Sequence, residues 1–328
     1  RDVAMASWSL ARLAATEAAL PEALARVILS DGFARLEVDG QDLANIAWAF
    51  ATLRARESEE VLASVAARAA DSVERYSPRH VVGIAWALGS ARVNHRGYLA
   101  AAAGAAERTA KQWVPQDVAN FLWTFAVLKC ATPTSLAAVV SRSAALGWGE
   151  FRPQEVSISM WAAMTLGVAD ARPAVHASVQ RLLQHAGRQI RGAGAPGFEP
   201  RHCANAAWAL ARWQRHCRLT GLKQDLKDAV CRPALRALAV AVEPQIHAAS
   251  PHELSRLLWA LGSQSCLRLR LLAPRLAEDF RRPGRLSALD ADAFLSIVDS
   301  LAWTLERAAL EGRQRPRLPG RGGGPRPP

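Results

Sequence analysis

A nine-residue phrase centred on a tryptophan recurs along this chain at nearly constant spacing. It reads DLANIAWAF (42–50), HVVGIAWAL (80–88), DVANFLWTF (117–125), EVSISMWAA (155–163), HCANAAWAL (202–210) and ELSRLLWAL (253–261), with a partial copy, DVAMASWSL, at 2–10. The first five marker tryptophans in chain order are spaced 40, 38, 37 and 38 residues apart; they are Trp8, Trp48, Trp86, Trp123 and Trp161. Such a period is typical of stacked helical repeats. The pattern predicts an all-α fold, an α-solenoid (superhelix) of about 7–8 stacked helix-turn-helix repeats of period about 38.

Each phrase is predicted to form the first helix of its repeat, helix A. A proline stands eight residues before the tryptophan in five copies, and proline suits the first helical turn. Ser77 and Ser250 precede two of these prolines and fit the N-cap role. The predicted helices A lie near 2–13, 41–53, 78–89, 115–128, 153–166, 200–213, 251–262 and 290–305. A second, antiparallel helix is predicted at about 58–75, 97–112, 133–146 and 174–190.

The apolar residues of helix A recur at helical spacing. Leu43, Ile46 and Phe50 are predicted to share a buried face. Trp48 is expected to lie beside them and to fill the gap between neighbouring helices. Glycines such as Gly89, Gly167 and Gly262 are predicted near the helix ends. The array is expected to span 1–311, with a loop at GAGAPG (192–197) and a disordered Gly/Pro/Arg-rich tail at 312–328.

Charge is unevenly distributed along the chain. The net charge is +12; residues 1–164 carry 16 basic and 16 acidic side chains, and 165–328 carry 25 and 13. A basic half favours a polyanionic partner such as nucleic acid, although solubility and the basic tail explain part of it equally well. No apolar stretch approaches the roughly 18 residues that span a bilayer, so no membrane partner is expected. Five cysteines without framework spacing favour free thiols in a reducing compartment.

The repeat resembles a known family. The segments SPRHVVGIAWAL (77–88), VPQDVANFLWTF (114–125), EPRHCANAAWAL (199–210) and SPHELSRLLWAL (250–261) resemble octotricopeptide repeats and the related repeats of RAP-domain and FAST-kinase-like proteins. The resemblance implies a helix-pair solenoid that binds RNA in a mitochondrion or chloroplast, where it supports RNA stability, processing, translation or ribosome assembly. No RAP domain is recognisable after 311, and no kinase motif is present.

Helix A is predicted to carry one polar stripe, at positions −6, −3 and +4 from the tryptophan. Its side chains vary between repeats as a reader of successive bases would require, and an amide both donates and accepts hydrogen bonds. The predicted base-reading residues are Asp42, Asn45, His80, Asp117, Asn120, Glu155, His202, Asn205, Arg212, Glu253 and Arg256. A structural or solvent-exposed role for these residues remains the alternative.

Phosphate contacts are assigned to the basic second half. The predicted residues are Arg181, Arg188, Arg191, Arg215, Arg218, Lys223, Lys227, Arg268, Arg270, Arg281, Arg282 and Arg285. Six such contacts would give a log–log salt slope of about −4 to −5. Aromatic stacking of bases is disfavoured, since only two tyrosines are present and most tryptophans are assigned to buried positions. Trp213, which lies off the repeat register beside Arg212, either stacks a base or fills a helix junction.

Other chemistries find little support in the sequence. His202, Cys203, His216, Cys217 and Cys231 lack zinc-ligand spacing, so no metal or cofactor is expected. GAGAPG lacks the lysine of a phosphate-binding loop, and no catalytic constellation is apparent. The sequence therefore predicts a non-catalytic RNA-binding protein with single-stranded organellar RNA as partner. The alternative is a protein-interaction scaffold within an organellar ribonucleoprotein complex.

Overall fold

The computed structural model describes residues 1–13, 19–169, 172–221, 230–264 and 269–284, together with residues 291, 295, 297 and 298. Several predictions lie outside these residues: the 312–328 tail, most of the 290–305 helix, and the phosphate candidates Lys223, Lys227, Arg268 and Arg285. The helices are α1 (Asp2–Arg12), α2 (Ala19–Ile28), α3 (Asp31–Ala34), α4 (Gly40–Leu53), α5 (Ser58–Ala70), α6 (Pro78–Ala91), α7 (Arg96–Thr109), α8 (Pro115–Leu128), α9 (Pro133–Leu146), α10 (Pro153–Ala169), α11 (Pro173–Ala193), α12 (Pro200–Thr220), α13 (Arg232–Val242), α14 (Pro251–Ser263) and α15 (Leu269–Phe280).

The helices stack in two layers. In the A layer, formed by the helices that carry the tryptophan phrase, α1, α4, α6, α8, α10, α12 and α14 each pack on the next. In the B layer, α5, α7, α9, α11 and α13 do the same. Contacts between helices two apart in the chain define a stacked solenoid. The predicted all-α, stacked helix-pair fold is confirmed for the described part of the chain.

Helix A begins largely as the sequence predicts. At α14 the Ser250 hydroxyl accepts the Glu253 N–H (3.3 Å), and Glu253 Oε2 accepts the Ser250 N–H (2.7 Å). This reciprocal pair satisfies two backbone donors that the first turn leaves without helical partners. Ser77 occupies the N-cap position of α6, but its side chain makes no capping hydrogen bond. Pro78 alone therefore supplies the predicted start signal there.

Helix A ends within two residues of the predicted glycines in α6, α10 and α14, but these glycines are not the residues that end the helices. Arg54, Arg92 and Lys129, which follow α4, α6 and α8, adopt left-handed φ angles of 52°, 58° and 54°. The predicted terminator Gly89 lies inside α6, where a Cβ would stand 3.0 Å from Trp123 Cζ3 and 3.3 Å from the Thr124 Cα. Gly167 is similarly placed inside α10, and a Cβ there would lie 2.8 Å from Trp213 Cζ3. These glycines permit close packing and do not terminate helices.

The marker tryptophans are less buried than predicted. The predicted apolar face is buried, and Leu43, Ile46 and Phe50 are each 0% exposed. The marker tryptophans, however, are half-buried in the repeats from Trp48 to Trp259, and Trp8 is 40% exposed. At about 100° per residue, the indole points about 150° away from the middle of the buried face. The off-register tryptophans are the buried ones: Trp113, Trp148 and Trp213 are 0%, 5% and 1% exposed.

No helix in the part of the chain that the structure describes has both the length and the apolar composition needed to cross a bilayer.

Candidate functional site

A groove runs across the A layer from α1 to the start of α10. Its volume is about 1040 Å³, and Trp8, Trp48 and Trp86 form its aromatic lining. Asn45 and Asn120, three residues before their tryptophans, contribute two of its amides. Because positions −7, −3 and +4 all lie within about 60° of the indole around the helix, every helix A presents the same stripe to this face. The stacking of helices A thus converts a sequence repeat into a continuous polar and aromatic surface.

Position −6 does not belong to this stripe in most repeats. Asp117 Oδ2 accepts the Val114 N–H at 3.1 Å, and His202 Nδ1 accepts the Glu199 N–H at 3.1 Å. Asp117 and His202 are buried, and burial raises the pKa of Asp117 and lowers the pKa of His202. These side chains complete the first turn of their own helices, because the third helical residue can reach back to the N-cap backbone.

The carboxylates at position −6 of α10 and α14 act in the same way. Glu155 Oε2 accepts the Arg152 N–H at 2.8 Å, and its Oε1 pairs with the Arg152 guanidinium at 2.7 Å. Glu253 caps α14 as described above. The prediction that position −6 lies opposite the core with −3 and +4 is therefore wrong at Glu155 and His202, which are buried. Asp117 is also buried, but it does line the groove, as Asn120 does.

The other two predicted residues at position −6 are less enclosed. Asp42 is half-buried, and its backbone N–H donates to Asp39 Oδ1 at 2.8 Å. His80 lines the groove and is half-buried, and burial lowers its pKa. Among the predicted residues at position −6, His80 therefore both lines the groove and carries a titratable ring.

Position −3 carries the accessible amides. Asn45 and Asn120 are half-buried and line the groove. Asn205, the equivalent residue of α12, is engaged differently: its Oδ1 accepts a hydrogen bond from Arg256 Nη1 at 3.1 Å. The same sequence position thus presents an amide to the groove in α4 and α8 but an arginine-bound amide in α12.

Arginines stack on the indole of α12. The Cζ atoms of Arg212 and Arg256 lie 5.5 Å and 5.6 Å from the ring centroid of Trp208. Both distances fall within the range of a cation–π interaction. Arg212 comes from α12 itself and Arg256 from α14, so the stack joins two successive repeats. Two residues predicted to read bases are brought together here with Asn205.

The predicted phosphate contacts are divided between the two layers. Arg215 and Arg218 are exposed on α12, and Arg215 falls on the Trp208 stripe two turns later. Arg181, Arg188 and Arg191 lie on α11, in the B layer, away from the groove. Arg270 lies in α15. Arg281 and Arg282 follow α15, and Arg282 pairs with Asp279 at 4.0 Å. These arginines therefore do not form one track on the groove side.

Position −7 contributes groove residues that the sequence analysis did not select. Gln41, Arg79, Gln116 and Gln154 all line the groove, one from each of α4, α6, α8 and α10. The sequence could have identified position −7, since seven residues are close to two helical turns. A polar residue two turns before the tryptophan should lie beside the indole.

The metal candidates are not gathered into a site. Among the described residues, no group of three or more His, Cys, Asp or Glu side chains is placed to hold a metal ion. Cys203 lies in the core, where burial raises the pKa of its thiol to about 12. His216 contacts His176 and Trp213, with ring centroids 5.4 Å away in both cases. The arrangement is that of a packed helix junction.

No family model and no curated protein match this chain. The fold and the groove define its class, an all-helical repeat protein with stacked helices and a groove along one layer.

Proposed function

We propose that this chain is a non-catalytic RNA-binding repeat protein that supports RNA stability, processing, translation or ribosome assembly in a mitochondrion or chloroplast. Its repeats resemble octotricopeptide repeats and those of RAP-domain and FAST-kinase-like proteins. The observation that carries the proposal is the groove between α1 and the start of α10, which indoles and amides line together. Further along the same layer, on α12 and α14, Arg212 and Arg256 stack on Trp208.

The chemistry of this surface suits RNA. Amide side chains can hydrogen-bond to base edges, and guanidinium groups bind phosphates. The basic half of the chain begins near α10, so the arginine-bearing part of the A layer coincides with the excess of positive charge. A polyanion drawn to α12 and α14 would therefore meet the arginine stack first.

A protein scaffold is the second candidate, favoured by an apolar surface at the N-terminal end. Leu13, Leu20, Leu29 and Leu36 are 76%, 45%, 41% and 56% exposed around α1 to α3. Residues 1–164 also carry no net charge. Exposed apolar patches of this kind favour protein contacts. This surface lies at one end of the array, so such a contact is compatible with RNA in the groove.

A salt titration tests the proposal. Affinity for a single-stranded RNA of mixed sequence should fall with salt, with a log–log slope of about −4 for six phosphate contacts. Arg212→Gln and Arg256→Gln should each reduce the magnitude of the slope by about 0.7. Arg188→Gln, on the B layer, is the matched control and should leave the slope unchanged. Failure of the unmodified protein to bind RNA at low salt, or equal effects of all three changes, would contradict RNA binding along the A layer.

A further inference from the structure

We propose that the indoles of the middle repeats stack against unpaired bases, Trp48 and Trp86 in the groove and Trp123 beside Trp86, so that this surface selects single-stranded RNA. The inference rests on the proposed function and specifies its ligand. The Arg212–Trp208–Arg256 stack is then the place where base contacts end and phosphate contacts begin. The sequence alone argued against stacking, because it assigned these indoles to the core.

The positions of the central indoles along the A layer suit stacking. Trp48 and Trp86 line the groove and are half-buried. Trp86 and Trp123 lie 6.5 Å apart, centroid to centroid, with their planes inclined by 33°. Gly89 leaves room for the Trp123 ring on α6, because a Cβ at residue 89 would lie 3.0 Å from Trp123 Cζ3. The indoles therefore form a row held by the helix stack, as a stacking platform for successive bases requires.

The repeats differ in the cations that cover their indoles. Among the described residues, guanidinium groups stack on the marker indoles Trp8, from Arg12 at 5.6 Å, and Trp208. In the part of the chain that the structure describes, none of these cation–π contacts involves Trp48, Trp86 or Trp123. Among the described residues, the central indoles are therefore partly exposed and carry no such cation, whereas Trp208 already stacks with two cations.

Amide side chains stand near two of the central indoles. Asn45 and Asn120 stand almost one turn before Trp48 and Trp123, and both amides line the groove. A base stacked on either indole would bring its edge within reach of a group that donates and accepts hydrogen bonds. At α12 the equivalent amide oxygen is already bound to Arg256. Stacking and edge recognition are therefore available together in the same repeats.

The charge balance of the first half of the chain also favours stacking over phosphate contacts in this part of the groove. Because residues 1–164 have no net charge, affinity in this part of the groove cannot depend mainly on counterion release. Stacking on aromatic rings depends little on the base type and supplies affinity without positive charge. Two contributions to RNA binding should then be separable, one from the central indoles and one, sensitive to salt, from the arginines.

The test compares three RNAs of equal length: a single strand of mixed sequence, its duplex, and the same single strand with abasic sites in place of the central bases. Dissociation constants are measured for the unmodified protein, Trp48→Ala, Trp86→Ala and Trp48→Tyr. Each alanine change should weaken binding of the intact single strand roughly 5- to 150-fold. It should leave the salt slope unchanged and have little effect on the abasic strand. Trp48→Tyr retains a ring and should retain most of the affinity.

Circular dichroism spectra of all variants control for folding, and Trp48→Tyr keeps the test valid if an alanine variant unfolds. RNA should also quench tryptophan fluorescence, less so with the abasic strand. If the unmodified protein binds none of the RNAs, the proposed function fails. If it binds all three RNAs equally and the indole changes have no effect, RNA binding stands and the stacking inference is overturned.

Discussion

The stability of the Gly89→Ala variant tests how closely the helices of the A layer pack. A Cβ at residue 89 would lie 3.0 Å from Trp123 Cζ3 and 3.3 Å from the Thr124 Cα. The Trp123 ring could turn, but the Thr124 backbone belongs to α8 and moves only with that helix. An overpacked contact of this type costs about 1–3 kcal/mol. The replacement of a helical glycine by alanine contributes about 1 kcal/mol in the opposite direction.

Gly104→Ala is the matched control. Gly104 lies inside α7, and the nearest atom to a Cβ there is the mobile end of Arg108, at 3.3 Å. The control should therefore raise the free energy of unfolding by about 1 kcal/mol through helix propensity alone. Gly89→Ala should be less stable than Gly104→Ala by about 1–3 kcal/mol.

Urea titrations followed by far-ultraviolet circular dichroism provide the assay for both variants. The difference in the free energy of unfolding between the two variants is more informative than either free energy alone, because both variants gain the same helix propensity. If Gly89→Ala stabilises the protein as much as Gly104→Ala does, then α6 and α8 do not approach as closely as described. The reasoning that the glycine serves packing would then be refuted.

Three other predictions concern single sites. Arg92→Gly should raise the free energy of unfolding by about 0.5–1 kcal/mol, because the left-handed φ of Arg92 strains a residue with a Cβ; an unchanged urea midpoint would contradict this. Tyr98→Phe should lower it by about 0.5–1.5 kcal/mol, since the buried hydroxyl donates to the Val81 carbonyl at 2.8 Å; a variant of equal stability would show that this bond contributes nothing. Burial and Arg201 lower the pKa of His202 below 6.5, so the unfolded chain binds the proton more readily and stability falls as the pH drops through 6.5. His202→Gln, which can still cap α12, should show a shallower loss of stability between about pH 7.5 and 5.5, and an identical pH profile would count against the assignment.

The sequence predicts the architecture well, because it depends on local signals that repeat. The tryptophan period, the prolines at helix starts and the apolar face of helix A identified both the helix pairs and their stacking. Ser250 is correctly predicted at the N-cap of α14. Its reciprocal bond with Glu253 engages a carboxylate that the sequence pattern assigned to base reading.

The environment of the tryptophans was predictable but was missed. The assumption that a large apolar residue is buried outweighed the helical geometry, which sets Trp48 opposite Leu43, Ile46 and Phe50. By contrast, the role of Gly89 could not be read from its own helix, because the reason for it is Trp123, on α8. The stack of Arg212 and Arg256 on Trp208 likewise depends on the approach of two helices that are separate in the sequence.

Ultraviolet crosslinking of bound RNA, with the adducts located by mass spectrometry, identifies the part of the chain that contacts RNA. Adducts are expected on the A-layer stripe, at Trp48, Trp86 or Trp123 and on the segments that contain Arg212 and Arg256. Adducts confined to the B-layer arginines of α11 or to residues 312–328 would contradict this expectation.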